Sequence, residues 1–251
     1  MNDFTIANEY TLPSNGKVYT QKINPTFKLR SMTTVEEMKR LNHSDKPNKN
    51  LAEIIDDCLI TDLGISAYDL CTPDYQYVLH KLRLVTYGSD YKLTSDCPWC
   101  GTKNTNVVNL DELKFVEFDE EIFKKYSEFD LPSTKRHITL RMQTPRILDK
   151  ITTEVKEIKK KYPDFVGDPA FLFTIENVID TIDGKVPEQF KLKPFIEKLP
   201  MMDTNYIVKS ALKLNTSFGL DSSLEHSCSY CGLDYTGNFR ITPEFFGPSI
   251  D

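Results

Sequence analysis

The sequence has no stretch approaching the roughly eighteen consecutive apolar residues that a membrane-spanning helix needs. Its first residues, Met1-Asn2-Asp3-Phe4, lack the basic flank and apolar core of a signal peptide. A cytoplasmic, reducing setting is therefore expected, and disulfides are not. Excess positive charge is missing too: the net charge is −6 and the pI near 5.4. A protein that neutralises phosphates needs a basic face. The strongest basic run, Lys156-Glu157-Ile158-Lys159-Lys160-Lys161, reads instead as the solvated face and last turn of a helix, where lysines complement the helix dipole. Nucleic acid is not the expected partner.

Catalytic motifs are also lacking. There is no Gly-x-Ser-x-Gly, no phosphate loop, no Gly-x-Gly-x-x-Gly and no His-Glu-x-x-His. Only four histidines occur, none paired at helical ligand spacing. Neighbouring carboxylates such as Asp56-Asp57 and Glu120-Glu121 point in different directions along a helix and read as solvated charge. A metal-dependent hydrolase needs an open metal and a general base, and neither is evident. The expectation is a protein that is not an enzyme.

What is present is a matched pair of motifs, Cys97-Pro98-Trp99-Cys100-Gly101 and Cys228-Ser229-Tyr230-Cys231-Gly232. Two residues between sulfurs let both thiolates reach one ion, and the glycine lets the backbone turn back so that amide hydrogens point at sulfur. Zinc suits four soft, tetrahedral ligands. The expected cofactor is one structural zinc per chain on Cys97, Cys100, Cys228 and Cys231, closed to water and so not catalytic. A thioredoxin-like dithiol would need a βαβ setting that neither pair has. His226, two residues before Cys228, is a possible substitute ligand beside two sulfurs that already suffice. Cys58 and Cys71 read as buried spare thiols.

A compact ribbon separates its pairs by roughly fifteen to twenty residues, whereas residues 101–227 intervene here. The expected fold is α+β: an N-terminal α/β unit and a split zinc ribbon, with a mostly helical insertion. The boundaries are 1–118 for the N-terminal unit with the first knuckle, 119–222 for the insertion, and 223–251 for the second knuckle and tail. The arms that follow the two knuckles look like a distant pseudo-repeat.

Local signals fill in the elements. Ser14-Asn15-Gly16 predicts a hairpin turn between Tyr10–Pro13 and Lys17–Tyr19. Thr33 or Thr34 caps a helix to about Leu41. Leu51, Ile54, Ile55, Cys58 and Leu59 recur at helical spacing. A helix starts at Thr72-Pro73-Asp74 and stops at Gly88. Further helices are expected at 120–126, from Thr144-Pro145 to Tyr162, from Asp168-Pro169 to about Ile179, at 191–199 and at 203–214, with strands at 91–94 and 137–142. Phe245 and Phe246 are apolar for a terminus. The plain reading is that both rings cover the ribbon; the sharper one is that they contact a partner.

The opening Leu12-Pro13-Ser14-Asn15-Gly16-Lys17-Val18-Tyr19 is followed by Leu29-Arg30-Ser31-Met32-Thr33-Thr34-Val35-Glu36-Glu37. Then come Asp74, Leu79-His80-Lys81-Leu82-Arg83, Tyr87-Gly88 and the first knuckle. Together, over roughly residues 10–118, these resemble the baseplate hub family of T-even-like contractile-tailed phages, which includes a hub subunit and a hub assembly factor. The resemblance implies a late viral protein acting in the host bacterial cytoplasm, through contacts with other hub or tail proteins, and carries no catalytic residues. The rival is a zinc-ribbon module that binds nucleic acid or the transcription machinery.

Overall fold

The computed structural model describes residues 8–164, 166–221, 223–238 and 245. It is a mixture of helices and small antiparallel sheets, consistent with α+β. No described helix is long and apolar enough to cross a membrane.

Strands β1 (Glu9–Thr11) and β2 (Thr26–Lys28) pair antiparallel, with Tyr10 opposite Phe27. Asn15 and Gly16 do turn the chain, at φ 51° and 76°. They do not close the expected hairpin, because residues 17–19 form no strand and β1 pairs with β2 instead. The reason is a buried carboxylate. Asp74 accepts hydrogen bonds from the Ser14 amide at 2.9 Å, the Ser14 hydroxyl at 2.5 Å and the Tyr19 hydroxyl at 2.7 Å. Three bonds to one carboxylate hold the turn down on a helix, and a hairpin ladder over 17–19 would have to give up the one from Tyr19.

Helix α1 (Thr34–Leu41) starts from Thr33 in a full capping box with Glu36. Helix α2 (Pro47–Cys58) and helix α3 (Thr72–Tyr87) each begin with proline in the first turn. Gly88, at φ 81°, ends α3. These elements enclose a first core that includes Leu12, Phe27, Leu29, Ile54, Ile55, Val78 and Leu82.

Beyond α3 run β3 (Asp90–Asp96), β4 (Lys103–Asn109), β5 (Phe115–Val116) and α4 (Glu120–Ser127). A three-stranded antiparallel sheet follows, made of β6 (Glu128–Asp130), β7 (His137–Leu140) and β8 (Ile179–Ile182). Helices α5 (Pro145–Lys161), α6 (Pro169–Val178), α7 (Gln189–Glu197) and α8 (Met201–Thr216) pack with it around a second core. The side chains of Thr144 and Asp168 cap α5 and α6, and the lysine run ends α5 as expected. The sequence reading missed β8. The segment Ile179-Asp180-Thr181-Ile182 is β-branched at three of four positions, and it leaves the helix to pair Ile182 with Ile138 and Thr181 with Thr139.

Two features tie the second core to the first. The α2 start lacks a side-chain cap of its own. Asp149, buried on α5, supplies it by accepting from Lys49 N at 2.9 Å and Asn48 Nδ2 at 2.8 Å, with the Tyr68 hydroxyl at 3.1 Å. Strand β9 (Gly219–Leu220) then returns to pair with β5, Phe115 opposite Leu220. Gly219 is at φ 93°, and a Cβ there would lie 2.8 Å from the Pro73 Cβ. Only glycine lets the returning chain pass this close to α3. The ends of the helical stretch are thus zipped together before the last two strands, β10 (Ser223–Ser227) and β11 (Asp234–Asn238).

Candidate metal centre

Two hairpins carry the cysteines. Strands β3 and β4 pair from Asp90↔Asn109 to Asp96↔Lys103, placing residues 97–102 at their tip. Strands β10 and β11 pair from Ser223↔Asn238 to Ser227↔Asp234, placing residues 228–233 at theirs. The two tips fold alike. Cys97 N donates to Thr102 O at 2.9 Å and Gly101 N to Cys97 O at 2.9 Å; Cys228 N donates to Leu233 O at 3.0 Å and Gly232 N to Cys228 O at 2.9 Å. Gly101 and Gly232 sit at φ 72° and 71°, a left-handed turn that a side chain would strain. The motif spacing is therefore matched by a backbone pseudo-repeat.

The tips face each other. All four sulfurs lie within 4.8 Å of one another, with Cys97 to Cys231 at 3.8 Å and Cys100 to Cys228 at 3.6 Å. Four thiolates around zinc at about 2.3 Å would sit about 3.8 Å apart on a tetrahedron. The sulfurs are unbonded to each other. Cys97 and Cys228 are buried, Cys231 is half-buried and Cys100 is exposed. The group is close enough to bind a metal ion.

The electrostatics show why a cation suits it. Backbone amides, first that of Cys231, and the Asn104 amide draw the Cys228 thiol down to about 6. Bonds from Thr102 draw Cys100 down as well. Cys231 receives the amide of Leu233, yet burial and the three neighbouring sulfurs push it up to about 11. Some sulfurs are prepared to be thiolates while like charge keeps another protonated. A divalent ion at the centre would remove that conflict.

Surrounding side chains hold the two hairpins together. Buried Asn104 on β4 donates from Nδ2 to Thr102 O at 3.0 Å and to Cys228 Sγ at 3.5 Å. Its Oδ1 accepts from Ser229 N at 2.9 Å and Ser229 Oγ at 2.8 Å. Asn104 stands seven residues after Cys97, and Tyr235 seven after Cys228, where its hydroxyl meets Ser95 Oγ at 2.8 Å. The Trp99 indole reaches across to Asp234 O at 3.2 Å. Sequence reading overlooked Asn104; its one signal was the matching offset from each first cysteine.

His226 is not among the clustered ligands. Its Nδ1 lies 3.3 Å from Asn106 Nδ2 and its ring rests on Tyr235, so it helps pack the second hairpin against the first. Cys58 and Cys71 are buried away from the cluster, and burial raises both thiols, Cys58 to about 12. His80 is enclosed with Nε2 2.9 Å from Leu110 O, so the proton sits on Nε2. Phe245 is fully buried in the first core: its ring lies 5.3 Å from Tyr91, and its carbonyl accepts from Arg83 Nε at 2.9 Å. The ring is thus enclosed within its own chain, against α3 and β3. Phe246 lies outside the described residues.

No curated protein and no solved structure matches the chain. A family model does: that of the T4 bacteriophage base plate protein, over residues 4–247. That span takes in both knuckles, both cores and the zipped strands between them, so the chain belongs to the T4 bacteriophage base plate protein family.

Proposed function

We propose that this chain is a zinc-clasped protein of the baseplate's central hub, either a subunit of it or a factor that promotes its assembly. The observation that carries the reading is the near-complete span of the baseplate family match over a chain whose four thiols, in two identically spaced pairs, converge on one point. In this reading one zinc per chain is held by Cys97, Cys100, Cys228 and Cys231. With four sulfurs it has no position for water, so it works as a clasp and not as a reagent. The protein acts through contacts with other hub or tail proteins in the host cytoplasm, not by catalysis and not on nucleic acid.

The domain division follows the clasp. Residues 1–118 form the unit that delivers the first knuckle, 119–222 the insertion, and 223–251 the second knuckle and tail. Two hydrophobic cores, one dominated by residues 12–113 and one by 129–214, support this division. So does the β5–β9 ladder at the base of the insertion.

Quantitative mass spectrometry of purified virions beside infected-cell lysate tests the role. Constant copies per particle assign a hub subunit; abundance in lysate with none in particles assigns an assembly factor. Deletion of the gene with normal baseplates formed would refute both.

A further inference from the structure

The outward face of α8 is an apolar ridge on which the only charges are positive. The helix runs sixteen residues. Ile207, Ala211 and Leu214 pack inward into the second core. Its one acid also turns inward: the Asp203 carboxylate accepts from Ser133 N at 2.7 Å and Thr134 N at 3.0 Å. Outward stand Met201 (61% exposed), Met202 (63%), Tyr206 (42%) and Leu212 (63%), with Lys209 and Lys213 among them. Among the described residues neither lysine has an ion-pair partner. In a chain of net charge −6, a helix face with two lysines and no carboxylate runs against the average.

We propose that this face of α8 docks into an apolar groove rimmed by carboxylates on another protein of the baseplate; the inference rests on the baseplate reading and adds a surface and a partner chemistry to it. Unbranched methionines adapt to an irregular groove, and a helix laid into one is read through residues spaced along a single face. Standard interfaces bury about 800 Å² per partner around an apolar centre. Four large apolar side chains over about three turns supply such a centre, and the two lysines, one turn apart, call for acids at its edge. A second copy of this chain fits poorly, because α8 against α8 brings four lysines to one seam with no acid opposed. An anionic lipid surface fits poorly as well, since polybasic lipid sites use clusters of about four to eight cations.

Calorimetric binding of the full chain to each baseplate protein of the same phage, purified singly, tests the surface. Two variants accompany the wild type, Lys209→Glu/Lys213→Glu and Met202→Ser/Leu212→Ser, both confined to exposed side chains so that melting and metal content should not change. One baseplate protein should bind, with affinity falling at least tenfold in each variant and falling in the wild type as salt is raised. Binding that both variants leave intact would overturn the surface while sparing the baseplate role. Self-association lost in the apolar variant, or sedimentation with phosphatidylglycerol vesicles lost in the charge-reversed one, would replace the proposed partner by a second copy or by lipid. Failure to bind any baseplate protein would overturn it too, and the virion measurement above then shows whether the baseplate role itself survives.

Discussion

Asn104 and Cys228 lie 124 positions apart in the chain, yet the Asn104 amide nitrogen sits 3.5 Å from the Cys228 sulfur. The same side chain accepts from the backbone of Ser229. One residue of the first hairpin therefore orients a sulfur and a turn of the second. In metal sites such partners of the ligands set both geometry and affinity.

Asn104→Leu should keep the volume but leave the Ser229 amide without its acceptor and the Cys228 sulfur without its donor. A cost of about 1–3 kcal/mol is expected from the unmet buried groups. Metal affinity should fall roughly tenfold or more. Competition with a chromophoric chelator measures the affinity, and thermal melting measures the stability. Unchanged values for both would show that Asn104 only fills space.

Asp149→Ala should cost about 1–2 kcal/mol, as for loss of a helix cap. The effect should appear far from position 149 in sequence. Hydrogen exchange at Asn48 and Lys49 should quicken more than in the body of α5, because those two residues lose their acceptor. Equal exchange at 48–49 in both proteins would rule out the cap across the two cores.

The course of acid destabilisation follows from two groups. Burial lowers His80 to about 4, whereas the unfolded residue titrates near 6.5. Its neutral form is the one that folds, so its contribution is whole above pH 6.5 and declines as pH falls to 4, by about 3 kcal/mol at most. The Arg30 bond holds Glu36 down to about 2, so that contribution is whole above its ordinary range and declines only as pH falls further. Urea unfolding of wild type and His80→Gln across pH 7 to 4 should give a shallower slope for the variant between 6.5 and 4. Parallel slopes would place the acid sensitivity elsewhere.

Gly219→Ala places a Cβ against Pro73 at a positive φ. A loss of about 1–3 kcal/mol is expected. Because Gly219 pairs with Val116, exchange should rise at the β5–β9 ladder before it rises in either core. A variant as stable as the wild type would mean that the close approach to α3 is dispensable.

The parts of this fold that could be read in advance are those whose cause is local. Thr33, Thr144 and Asp168 cap helices within three residues of themselves, and Gly88 ends one by its own φ. The paired knuckles announce themselves by spacing. The parts that escaped depend on distant partners. Strand β8 exists because β7 offers it a ladder forty residues upstream, and residues 17–19 lose their hairpin to a carboxylate on α3. Nothing near Asp149 marks it as a cap for α2, and nothing near Phe245 says that it ends against Arg83 and Tyr91. Asn104 was hidden for the same reason, since its partners lie on the other hairpin.

The clasp is the centre of the account, and metal stoichiometry tests it most directly. Protein purified without added zinc should contain close to one zinc per chain, and Cys228→Ser/Cys231→Ser should contain none under the same conditions. Wild-type protein free of metal, or a double variant that keeps its full zinc, would contradict a single ion shared by the two knuckles.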